Sequence, residues 1–304
     1  MKYEMTAIAA IALVAATTTR AETVEPLAPA DLVATGLDLG LRMTVPVMVN
    51  GLGPFQFVID TGADRTVIST ELAERLSLPA SGSAKLHAMG GTRSVDIVTI
   101  DTLSVSTNTA RNVRAAALPA RNLGADGLLG IDSLQGQRVI MDFTAQTMKV
   151  VPSRKNEPPP PEDSEMIIVT AKTRLGQLVM VDADANGQKV WVVVDTGAEN
   201  SVGNARLRRL MVRRNAKLVI KPISLLDVLG RTTSADYIVV DKMRVGNIAM
   251  ANSGIAFAEV HPFKIFNLIN KPAMLLGMEG LRSFRRVSVD FSNREIKFLL
   301  PREE

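Results

Sequence analysis

The sequence predicts an all-β chain of two homologous lobes, related by an internal pseudo-twofold axis and carrying one short helix each. Three observations lead there. First, Phe57-Val58-Ile59-Asp60-Thr61-Gly62-Ala63 returns as Val192-Val193-Val194-Asp195-Thr196-Gly197-Ala198. With each residue type near 5% abundance, Asp-Thr-Gly-Ala would arise by chance in about one chain in five hundred of this length. Two copies therefore mark a duplication. Second, short apolar runs rich in β-branched residues recur between Asn-Gly, Gly-Pro and Gly-Gly turn signals, as sheets require. Third, the segments after each motif come in the same order, and from Gly90 to Asp101 the second copy keeps a constant offset of 140.

Taken in order, the chain opens with Lys2 and an apolar run from Met5 to Ala16, followed by the small residues around Ala21. That run is too short to span a bilayer, so residues 1–21 read as an export signal and the mature protein as periplasmic or secreted. A retained N-terminal anchor is the alternative; no later stretch reads as a membrane span. Residues 22–36, rich in Pro and Ala, form an irregular leader. The first lobe spans 37–151. A strand runs from Leu41 to Val49, a turn over Asn50 to Pro54, and a buried strand from Phe55 into Asp60. An extended segment, Thr66 to Ser69, leads into a helix from Thr70 to Leu76 with Ser69 or Thr70 as its cap. Ala84 to Val95 reads as a hairpin with Met89-Gly90-Gly91 at its tip, followed by strands at 97–105 and 113–118. The apolar Leu128-Leu129-Gly130 segment precedes a closing hairpin, Arg138 to Phe143 and Thr147 to Val151. Residues 152–165 contain four consecutive prolines among charges and read as a semi-rigid linker. The second lobe, 166–304, repeats the plan. Its helix runs from Ala205 to Leu210, its hairpin tip is Leu229-Gly230-Arg231, and Leu275-Leu276-Gly277 answers Leu128-Leu129-Gly130.

Composition excludes several chemistries. At 304 residues, with 46% hydrophobic and 22% charged side chains, the chain can build two cores, which must be aliphatic because aromatics reach only 4%. It has no cysteine, which removes disulfides, thiolate metal sites and a cysteine nucleophile. Two histidines, His87 and His261, lie far apart in sequence and read as structural, so a serine-histidine triad and a zinc hydrolase find no support. The net charge of +4 draws on Arg206, Arg208, Arg209, Arg213, Arg214 and Lys217, a solvated helix face. No aromatic residue interleaves it, so nucleic acid is not the expected partner.

The repeated motif carries the chemistry. An apolar buried strand should not end in a bare carboxylate, because an uncompensated buried charge is costly. Two such carboxylates, each entering the same tight turn, are expected to meet. Held close, they share one proton and supply an acid and a base in one site.

These residues resemble the retropepsin-like aspartic proteases of the exported bacterial type, with both lobes in one polypeptide, over residues 37–304. The resemblance implies an endopeptidase that needs neither metal nor other cofactor. Asp60 and Asp195 would be the catalytic pair. Thr61, Gly62 and Ala63, with Thr196, Gly197 and Ala198, would build the supporting loops, the threonines bonding across the axis. Substrate, an extended polypeptide, would meet Asp64, Glu199 and the hairpin tips at Met89, Gly90, Gly91, Leu229 and Gly230. Retroviral enzymes carry an arginine just after the apolar-apolar-Gly segment; here Ile131-Asp132 and Met278-Glu279 stand there. Neither tip has the tyrosine of pepsin-like enzymes, which favours the retropepsin side. The expected assembly is a monomer with an internal pseudo-dimer. A catalytically silent peptide-binding module on the same fold is the competing reading.

Overall fold

The computed structural model describes residues 42–156, 166–174, 177–180, 183–214 and 218–301, together with two short strands at Glu4–Thr6 and Val33–Ala34. The centre of the expected linker, 157–165, and nearly all of the expected signal and leader lie outside the described residues.

Each lobe is a barrel-like β domain. In the first, the strands run Gly91–Val105, Thr44–Val49, Leu52–Ile59, Gly127–Leu129, Val67–Ser69 and Asn108–Leu118, and the last pairs back onto the first. The Ala80–Ala88 strand pairs with the near end of Gly91–Val105 and forms a hairpin with it. In the second lobe, Trp191–Val194, Ala273–Leu276, Val202–Gly203, Ile248–Phe257 and Thr232–Val245 take the same places, and Ile220–Leu226 completes the matching hairpin. The apolar runs ending in the motifs are strands, buried along Phe57-Val58-Ile59 and Val192-Val193-Val194.

Between them and the next strand sits the apolar-apolar-Gly segment. Phe57, Val58 and Ile59 pair in parallel with Gly127, Leu128 and Leu129, which pair on their other side, antiparallel, with Val67-Ile68. The turn after Asp60 is thus slung across the end of a strand inserted between its own two arms. The glycine that ends the insert is there for space. A Cβ on Gly130 would stand 2.3 Å from the Arg65 carbonyl carbon, and one on Gly277 2.4 Å from Asn200 O. No side chain fits where the motif turn crosses overhead.

The lobes are joined by a third sheet. The hairpin read as closing the first lobe, Gln137–Asp142 with Thr147–Pro152, pairs with its counterpart in the second, Arg286–Asp290 with Glu295–Leu299, along Arg138↔Asp290 to Asp142↔Arg286. Ile167–Thr170 and Val33–Ala34 flank them, so part of the expected irregular leader is strand. Two ion pairs mark the pseudo-axis: Arg138 Nε to Asp290 Oδ2 at 3.0 Å, and Arg286 Nη2 to Asp142 Oδ2 at 2.8 Å.

The expected helices are present. Thr70–Arg75 is capped by the Ser69 hydroxyl, which accepts from Leu72 N at 3.1 Å. Ala205–Arg214 is a turn longer than expected, burying Leu207 and Met211 and capped by Asn204 Oδ1 on Leu207 N. One helix per lobe is an undercount. Ala120–Leu123 and Ile131–Leu134 add two in the first lobe, His261–Ile265 and Met278–Leu281 two in the second. Each is a turn or so, too short to carry a periodic pattern. Among the described residues no helix is long and apolar enough to cross a membrane.

Candidate active site

The two motif turns meet on the pseudo-axis. The Thr61 hydroxyl donates to Val194 O at 2.9 Å and the Thr196 hydroxyl to Ile59 O at 2.6 Å. Each hydroxyl also accepts the other threonine's amide at 3.1 Å. This reciprocal lattice is buried, so each turn fixes the other's backbone. Asp60 and Asp195 stand beside it, 0% and 1% exposed.

The glycines show how closely the lobes approach. A Cβ on Gly62 would lie 2.6 Å from Asp195 Oδ1; one on Gly197 would lie 2.2 Å from Asp60 Cγ. Each aspartate is packed against the other lobe's turn, and only glycine leaves it room. Gly62 N donates to Asp60 Oδ1 at 2.9 Å. Ala63 and Ala198 are fully buried.

Burial raises both carboxyls. Asp60 is pushed well above the ordinary carboxylate value by loss of solvent and then by the facing Asp195 charge; the Gly62 amide, Arg42 and the Ala63 amide oppose this. Asp195 is pushed up to about 7 by the same loss of solvent, against the amides of Gly197 and Ala198, the neighbouring Asp60 carboxyl, and Arg42. The two carboxyls are each pressed against the other lobe's turn, and Asp60 Oδ2 and both Asp195 oxygens are buried without a hydrogen-bond partner among the described residues. That arrangement keeps protons on the pair in a range where isolated aspartates have lost theirs.

Three sets of supporting residues were not singled out by the sequence. Arg42 is a fully buried arginine whose Nη1 donates to Gly197 O at 3.3 Å and whose Nη2 donates to Leu123 O. It ties the first strand of one lobe to the motif turn of the other. Thr66 and Ser201 brace the apolar-apolar-Gly segments, accepting from Gly130 N and Gly277 N, both at 3.2 Å. Asp132 accepts from Thr66 N and its hydroxyl at 2.9 and 2.8 Å. The signal for the Thr66–Ser201 pair was available: a hydroxyl residue six positions after each aspartate.

Asp64 and Glu199 are half-buried at the ends of the turns, where their carbonyls accept from Asp132 N and Glu279 N. The hairpin tips are where they were expected, with Met89-Gly90 between Ala80–Ala88 and Gly91–Val105, and 227–231 between Ile220–Leu226 and Thr232–Val245. Leu229 is buried and Gly230 exposed, with a left-handed φ of +74°. A cavity of about 180 Å³ lies beside the second tip, lined by Leu229 and by Val95, Leu118, Pro119 and Asn122 of the first lobe. Among the described residues, no group of His, Cys, Asp and Glu side chains is placed to hold a metal ion.

Two barrel-like β domains joined by a shared sheet, with an Asp-Thr-Gly turn from each interlocked on one axis, define the two-lobed acid-protease class of fold. A family model described as aspartyl protease matches residues 45–133 and 181–279, one match per lobe. The chain belongs to that retropepsin-like aspartyl protease family, with two copies of the domain in one polypeptide. A search of curated proteins gives no significant match.

Proposed function

We propose that the protein is an aspartic endopeptidase that hydrolyses extended polypeptide segments with Asp60 and Asp195. The observation that carries this reading is the facing pair of buried carboxyls with raised proton affinity, one from each lobe. Asp60, raised further by its neighbour, holds the shared proton and donates it toward the scissile carbonyl oxygen. Asp195, ionised, takes a proton from a water held between the two carboxylates as that water attacks. The carbonyl carbon becomes tetrahedral; collapse breaks the C–N bond and the amine leaves with a proton from the pair. No acyl-enzyme is formed.

The Thr61–Thr196 lattice and Gly62 and Gly197 hold the carboxylates in register, with Ala63 and Ala198 packed behind. Asp64 and Glu199 stand at the turn ends to meet the substrate backbone. Met89, Gly90, Gly91, Leu229 and Gly230 roof the site, and a strand-like substrate would pair its backbone with the hairpins. The apolar wall at Val95, Leu118 and Leu229 favours aliphatic side chains beside the scissile bond. The signal-like residues 1–21 support export, and the interlobe sheet supports a monomer.

The test is incubation of the purified protein with an unstructured peptide mixture, with and without a peptide analogue bearing a hydroxyl at the scissile position. Cleavage blocked by the analogue supports the reading. Tight binding of the peptides without cleavage would instead support a silent binding module.

A further inference from the structure

The two hairpin tips are fastened to each other by side chains that only the second tip carries. Asp227, 1% exposed, organises its own turn through Oδ1, which accepts from Leu229 N and Arg231 N, both at 2.9 Å. Its Oδ2 reaches across the axis and accepts from Gly90 N, also at 2.9 Å. Arg231 completes the grip. Its Nη1 donates to Gly90 O at 3.1 Å and its Nη2 to Thr92 O at 3.3 Å. The first tip, Ala88-Met89-Gly90-Gly91, has no charged residue to reciprocate.

The apolar residues of the tips are exchanged as well. Met89 is buried in the second lobe's cluster with Ala198, Leu225, Ala256 and Phe263, whereas Val228 and Leu229 are buried in the first lobe's cluster with Leu86, Leu118 and Leu123. The joint is reinforced where His261 N donates to Met89 O at 3.0 Å and where His87 Nδ1 lies 2.8 Å from His261 Nε2. The chain's two histidines, 174 positions apart, meet at the point where the first hairpin touches the second lobe. The exchanged residues also reach the motif turns, Leu229 in one cluster with Ala63 and Met89 in one with Ala198, and both aspartates are buried.

We propose that the free protein is held shut by its own second hairpin, with Asp227 and Arg231 occupying the Gly90 amide and carbonyl that an extended substrate backbone would otherwise pair with. Substrate entry requires this clasp to part, so substrate and clasp compete for the same backbone groups. Access is then governed by the fraction of molecules with the clasp open, and apparent affinity falls in proportion to that fraction. Loss of the two guanidinium hydrogen bonds should raise the open fraction by roughly tenfold or more, since charge-assisted bonds of this kind are the strong ones.

Two measurements test this, and only the second rests on the proteolytic reading. In the first, amide hydrogen exchange is compared between the intact protein and Arg231→Met. Peptides covering 84–95 and 224–234 should exchange faster together, by roughly tenfold. Unchanged exchange at both tips, or acceleration confined to 224–234, would overturn the clasp. The second compares cleavage of an unstructured polypeptide by the parent and by Arg231→Met. The variant's KM should fall by roughly tenfold while kcat holds, because only the open fraction has changed. An unchanged or raised KM in the variant would overturn the proposal. Absence of cleavage by every form, parent included, would count against the proteolytic reading, and the exchange comparison would still decide the clasp.

Discussion

Replacement of Asp195 by asparagine should stabilise the fold at neutral pH, and the size of the effect follows from the pair's surroundings. Asp195 is fully buried and its carboxyl is raised from 3.8 to about 7, chiefly by loss of solvent. The folded state therefore keeps a proton that the unfolded chain has released. With more protons bound in the folded state, stability falls as pH rises from the unfolded value near 3.8 toward 7, and falls no further above it. At about 1.36 kcal/mol per pH unit, full separation across that window would come to roughly 4 kcal/mol. The two carboxyls titrate jointly, so on the order of 2–4 kcal/mol is the reasonable range. The asparagine side chain carries no charge and relieves Asp60 of its neighbour's repulsion. Urea denaturation at pH 4 to pH 8, read at constant m, should place Asp195→Asn about 2 kcal/mol above the parent at pH 7, with the gap closing toward pH 4. Equal stabilities at pH 7, or a gap that widens toward pH 4, would refute the picture of a charged buried pair. The acid limb has the opposite origin. Burial would raise Asp290, but Asn293, Ser153 and Arg138 outweigh it and hold it below the usual carboxylate range. Stability from Asp290 is present above the unfolded value and lost as pH falls through the folded one.

Two further outcomes follow from the same contacts. Ala63→Ser/Ala198→Ser would place a hydroxyl donor behind each carboxylate, favouring the ionised form; the pH–rate profile of the double variant should shift to lower pH, and an unchanged or raised optimum would show that the alanines do not set the pair's proton affinity. Arg138→Met strips the Asp290 carboxylate of its buried cation. Denaturation should show a loss of about 3–5 kcal/mol, and a loss below about 1 kcal/mol would mean that Ser153, Ser292 and Asn293 satisfy Asp290 unaided.

Much of the fold was legible because its signals are local and repeated. The apolar strand ending in Asp-Thr-Gly, the capped helix after Ser69 and the Gly-rich tip at Met89-Gly90-Gly91 each fit within a dozen residues, and a second copy confirmed them. What escaped notice depends on partners far apart in the chain. The interlobe sheet pairs Arg138 with Asp290, 152 positions away, and a hairpin carries no local mark of the strand that will extend it. Arg42 looks like any strand residue until its guanidinium meets Gly197 O, 155 positions on. Asp227 sits in an ordinary turn sequence, and its reach to Gly90 exists only once two lobes are opposed. Helices of four or five residues such as Ile131–Leu134 give no periodicity to read. The glycines of Leu-Leu-Gly were legible as a pattern but not as a reason, which is the backbone of Arg65 or Asn200 crossing directly over them.

The proposed chemistry requires two aspartates, one per lobe, to act as one acid–base unit on peptide bonds. Mass-spectrometric analysis of an unstructured peptide mixture incubated with the parent, Asp60→Asn and Asp195→Asn measures it directly. The parent should produce new termini within extended segments, and each single variant should produce none above background while remaining folded by circular dichroism. Cleavage by either variant at a rate near the parent's would contradict the shared dyad.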